Sequence, residues 1–111
     1  MKKTNIPAEA QGVGVDKTNR FALGDIGFTD LDGNRIKLNF DQKEFGNLLF
    51  SNATSIEMDA VSKLIHAKGE AEATEDVLQQ IDAIVQYASK YNHRVKTAIS
   101  EYVNKLISGG K

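Results

Sequence analysis

From Thr74 to Ser108 the chain contains neither glycine nor proline, and its apolar residues recur in steps of four and three: Val77, Ile81, Ile84, Ala88, Tyr91, Val95, Ala98 and Tyr102. Residues at that spacing share one face of an α-helix, which turns once every ~3.6 residues. The pattern predicts a C-terminal helical stretch with a continuous apolar stripe that something must cover. Thr74 suits the N-cap, and Glu75 and Asp76 fill a first turn where the helix dipole favours negative charge. Unbroken to Ser108, the helix would be about 50 Å long at ~1.5 Å per residue. A compact domain of this size is nearer ~25–30 Å across. Either the helix breaks at Asn92-His93, since Asn tolerates a left-handed cap, or it protrudes and meets another chain.

The remainder reads as elements that pack on this stretch. Residues 1–19 lack periodicity and are interrupted by Pro7, Gly12 and Gly14, so an extended or flexible arm is expected. Arg20 to Phe40 reads as a β-hairpin. Ile36, Leu38 and Phe40 alternate with Arg35, Lys37 and Asn39, the period of a strand with one buried face. Phe21 and Leu23 share one parity and Ile26 and Phe28 the other, so a bulge or kink is expected at Gly24-Asp25. The turn falls in Thr29 to Asn34, with positive φ expected at Asp32-Gly33. Asp30, Asp32 and Asn34 alternate as in a calcium-binding EF-hand loop. The sixth position is Arg35 rather than Gly and the twelfth is Asp41 rather than Glu, so a plain turn is the reading.

Asp41 and Glu44 form a capping box, with Phe40 and Phe45 placed as a hydrophobic staple. The helix they start, about 41–51, directs Phe45, Leu48, Leu49 and Phe50 towards the core. Thr54 and Glu57 form a second box for a helix over about 54–68. There Met58, Val61 and Ile65 lie along one face, flanked by Ile56, Ala60 and Leu64, as in a helix packed on two neighbours. Gly69 ends it, and Lys68 to Ala73 reads as a linker. Residues 109–111 form a frayed tail. The expected architecture is one mainly helical α+β domain over 20–108: an N-terminal β-hairpin packed on two short helices and a long, kinked or continuous, C-terminal helix.

The chemistry is sparse. The chain has 111 residues and no cysteine, which removes disulfides and thiolate sites. His66 and His93 have no acidic or histidine partner at helical spacing, so no metal site is expected. Gly12-Val13-Gly14 is not followed by the Lys-Ser/Thr of a phosphate loop, and no serine sits in a Gly-x-Ser-x-Gly turn. No catalytic residue, cofactor or enzyme activity is expected. Met1-Lys2-Lys3 is not followed by the apolar run of a secretory signal, and no segment approaches the ~20 apolar residues of a membrane helix. A cytoplasmic location, or a virion if the source is a phage, follows as the expectation.

Net charge is −1, against the strongly basic balance usual for general nucleic-acid binders. A local basic cluster at Lys90, His93, Arg94 and Lys96, with Tyr91 among them, nevertheless offers contacts to phosphates and a ring for a base. Glu70, Glu72, Glu75, Asp76 and Asp82 precede it, and negative-early, positive-late is what a helix dipole favours. It would also let two such helices pair antiparallel. The helices at 41–51 and 54–68 could form a helix-turn-helix, but Glu57 and Asp59 would then face phosphates. The order of arm, small hairpin, two short helices and long helix is similar to that of small virion-assembly and accessory proteins of bacteriophages. The similarity lies in this layout and in the Asp41 to Ala73 run. Protein association, homo-oligomeric or with another partner protein, is therefore the expected function. The expected interface is Val77, Ile81, Ile84, Ala88, Tyr91, Val95, Ala98 and Tyr102, with the arm as a second contact. The alternative is a nucleic-acid-binding regulator using Lys90, Arg94 and Lys96.

Overall fold

The computed structural model describes residues 18–108, so most of the expected arm and the tail lie outside the described residues. In chain order the elements are β1 (Thr18–Ala22), a 3-10 turn (Leu23–Asp25), β2 (Gly27–Thr29), β3 (Arg35–Lys37), α1 (Gln42–Ser51), α2 (Ile56–Lys68), β4 (Glu70–Thr74), α3 (Glu75–Tyr87) and α4 (His93–Ile107). The fold is α+β and mainly helical.

The C-terminal stretch is two helices. α3 stops at Tyr87, where Ala88 takes up extended backbone (φ −76°, ψ 125°). Asn92 marks the other side of the break, in a different role from the expected left-handed cap. Its backbone is extended (φ −83°, ψ 175°), and its Oδ1 accepts from the Val95 amide at 3.0 Å, so it opens α4. Asp82 meets Ser100 and Gln86 meets Lys96, pairings that run in opposite directions along the two helices and make an antiparallel hairpin. The reason for the reversal is coverage: Val77, Leu78, Ile81 and Val85 of α3 and Ala98, Ile99 and Val103 of α4 are all buried in one core. Each large side chain so removed from water contributes roughly 1.5–3 kcal/mol.

Two further expectations change. Lys68 to Ala73 is not a linker, because Glu70–Thr74 forms β4, antiparallel to β1 from Thr18↔Thr74 to Ala22↔Glu70. Glu and Ala are poor strand formers, so this strand is made by its surroundings: Ala71 and Ala73 face the core while Glu72 is exposed. The hairpin over 20–40 shrinks to β2 and β3, paired from Gly27↔Lys37 to Thr29↔Arg35. The parity switch at Gly24-Asp25 is the 3-10 turn, which carries the chain from one two-stranded sheet to the other rather than bulging a single strand. Thr18 and Asn19, expected in the arm, belong to β1. The turn itself is as expected. Gly33 has φ 87°, and the Asp30 carboxylate is occupied by the amides of Asp32 and Asn34.

α1 starts as expected, with Asp41 accepting from Lys43 N and Glu44 N and the Phe40 and Phe45 rings 5.5 Å apart. α2 is capped one residue late: Ser55, not Thr54, accepts from Met58 N at 3.1 Å. Thr54 instead donates its hydroxyl to Gln80 of α3. Met58, Val61 and Ile65 are buried, but Ile56, Ala60 and Leu64 are exposed, so α2 packs along one face only. Phe50 also lies outside the core, beside Lys63, whose Nζ is 5.9 Å from the ring. Gly69 ends α2 with φ 78°.

α1 and α2 approach closely at Gly46, where an added Cβ would lie 2.7 Å from His66 Cα and 2.8 Å from His66 N. Gly46→Ala is expected to lower the free energy of urea unfolding by about 1–3 kcal/mol, the usual cost of overpacking, despite the ~1 kcal/mol that Ala gains over Gly inside a helix. Gly24→Ala, with open space around it, should be neutral or slightly stabilising. Equal effects at the two positions would remove backbone proximity as the explanation.

Candidate interaction surface

The expected interface residues do not share one fate. Val77, Ile81 and Ala98 are buried inside the chain's own core. Tyr91, Val95 and Tyr102 are half-buried and pack against it. The Tyr91 ring lies 6.2 Å from Phe45 and 6.1 Å from Phe40, and Tyr102 meets Phe21 edge-on at 5.4 Å. The Tyr102 hydroxyl also accepts from the Ala22 amide at 3.0 Å and donates to the Arg20 carbonyl, satisfying the outer edge of β1. Ile84 and Ala88 are the two that line an open groove.

That groove lies between α1 and α3, with a volume of about 370 Å³, and is lined by Leu48, Asn52, Ala83, Ile84, Tyr87 and Ala88. Its position follows from helical spacing. Phe45 and Leu49 turn α1 to the core, which puts Leu48 on its flank. Val77, Ile81 and Val85 do the same for α3, leaving Gln80, Ala83, Ile84 and Tyr87 along an outer face at i, i+3, i+4 and i+7. Thr54–Gln80 ties the helices at one end, and Glu44 pairs with Lys90 at 2.6 Å at the other. No charged side chain lines the groove among the described residues. Tyr87 stands 91% exposed at its rim.

Tyr87 was missed in the sequence because it falls one position off the dominant stripe. The signal was there as a second, weaker periodicity on the neighbouring face. Leu48 was assigned to the core because it follows Phe45 by one turn, and only the position of α3 shows that it sits at a seam.

The basic cluster is engaged within the chain. Lys90 holds Glu44, Lys96 Nζ donates to the Gln86 carbonyl at the end of α3 at 2.8 Å, and Arg94 sits 5.9 Å from the Phe28 ring centre. Gln86 returns a hydrogen bond to the Lys96 carbonyl at 3.0 Å, so the pair clamps the helical hairpin. Elsewhere, a depression of about 440 Å³ near β1 is dominated by Arg20, paired with Glu70 and Asp25. The hydrogen bond between them holds the Arg20 guanidinium above and the Glu70 carboxyl below their ordinary values. Among the described residues no cluster of three His, Asp or Glu could hold a metal ion, and no helix is long and apolar enough to cross a membrane. No protein-family model matches the chain, and neither a curated protein nor a solved structure shows a match to it.

Burial, with the Glu44 and Asp41 carboxylates nearby, pushes the Tyr91 phenol up to about 12. A phenol that ionises less readily folded than unfolded contributes stability fully below its ordinary value of 10.0, and that contribution is lost as pH rises through about 12. Urea unfolding across this range should show the decline, and Tyr91→Phe should flatten it. An unchanged decline in Tyr91→Phe would place its origin in other groups.

Proposed function

We propose that this chain is a non-enzymatic interaction or assembly protein that associates, with itself or with a partner protein, through the α1/α3 groove. The observation that carries the reading is an uncharged apolar groove with a fully projecting tyrosine on a chain in which 26% of residues are charged. Interface centres are depleted of charge and enriched in tyrosine, whereas an isolated exposed aromatic has no stabilising role in the folded chain. Ile84 and Ala88 are the part of the expected interface that this reading retains. An assembly role in a bacteriophage or mobile element, in the cytoplasm or the virion, is its most concrete form. The support for that form is the order of elements.

The nucleic-acid alternative is less well supported. Lys90 and Lys96 already serve intramolecular contacts, and Tyr91, the ring that would stack on a base, packs on Phe45.

Light scattering over a concentration series tests the proposal. Wild-type protein should exceed the 12.2 kDa of one chain with little dependence on salt. Tyr87→Lys places a cation at a helix C-terminus, where it is tolerated, and should weaken association about tenfold or more. A wild-type mass unaffected by Tyr87→Lys would move the contact off this groove. Oligonucleotide binding that falls steeply between ~50 and ~200 mM salt, and is lost in Lys90→Glu/Arg94→Glu, would transfer the function to the alternative.

A further inference from the structure

We infer that the occupant of the groove is a second copy of this chain, in a twofold dimer whose α3 helices cross antiparallel at Ala83 and Ile84, each Tyr87 seated in the other copy's groove. The inference rests on the association reading above and specifies its partner.

A twofold axis applies one patch to itself, so the patch must carry both a projection and its receptacle. This one does: Tyr87 rises from the rim of a groove walled by Leu48, Asn52, Ala83, Ile84 and Ala88. Ala83 is exposed at the middle of the outer face of α3, and its single methyl lets a second helix approach closely. With α3 antiparallel to its copy about Ala83 and Ile84, residue 80 falls opposite residue 87. The Gln80 amide then lies alongside the Tyr87 hydroxyl, a polar partner for an otherwise buried group.

Charge favours the same arrangement. Like charges face each other when a charged patch meets its own copy, and nothing charged lines this groove among the described residues. The flanks are complementary: Asp76, one turn before Gln80, falls beside Lys90 of the other copy, and the two helix dipoles oppose. Other exposed apolar residues lack this property. Ile36 stands between Arg35 and Lys37, and Phe50 lies under Lys63, so self-contact at either would bring cation to cation.

The chain has no cysteine, so an introduced one is unique. Ala83→Cys places two thiols near the proposed axis, and Leu31→Cys, at the fully exposed hairpin tip, is the control. On mild oxidation at concentrations where wild type associates, Ala83→Cys should give a covalent species of twice 12.2 kDa. Adding Tyr87→Lys should slow its formation about tenfold or more, and Leu31→Cys should remain a single chain. An oligomer of another size, or no cross-linking of Ala83→Cys above the control, overturns the twofold arrangement while the association reading stands. A wild type that is monomeric at every concentration also overturns the inference and leaves the groove to a foreign partner.

Discussion

The structure depends on the reversal of the chain between Tyr87 and His93. A helix with an apolar stripe along its whole length can be stable only if the stripe is covered. Five residues of non-helical backbone let the second half of the stretch cover the first, together with α1, α2 and β1. The reversal contains neither glycine nor proline. It is held by a cap, Asn92 on Val95, and by the reciprocal Gln86–Lys96 hydrogen bonds that replace helix-end partners lost at the break. Hydrophobic burial supplies the driving force, and these polar contacts set where the chain turns.

The same reversal organises the aromatic residues. It brings Tyr91 to Phe40 and Phe45, and Tyr102 to Phe21, so rings from β1, the α1 staple, the turn and α4 form one connected group. Phe45 is at its centre and is fully buried. Its orientation sets the rotation of α1, and through it which side chains of α1 flank α3. The groove lined by Leu48 and Ile84 is thus a consequence of core packing, and its lack of charge is a feature of the residues that packing leaves outside.

A surface of this kind carries function differently from a catalytic site. Nothing in it moves protons or polarises a bond. Its content is shape and the absence of desolvation penalties, which is what a contact between proteins requires. The charged side chains are arranged to stay at home: Arg20 with Glu70 and Asp25, Lys63 with Asp59, Lys90 with Glu44. Exposed pairs of this type add little to stability, but they leave the apolar seam as the surface with least cost to cover.

Much of the fold was legible in the sequence because local rules decided it. Asp41, Thr74 and Gly69 act at helix ends through their own side chains or backbone, and Gly33 through its own φ. The period of Met58, Val61 and Ile65 selects a buried face whatever lies opposite. The rest was decided by contacts distant along the chain. β4 is a strand because β1 lies beside it, against the propensity of Glu and Ala. The fate of the long stripe depended on whether a partner surface existed within the chain, and a stripe specifies that it must be covered without saying by what. The groove between α1 and α3 exists only where two flanks meet, so no single stretch of sequence contains it.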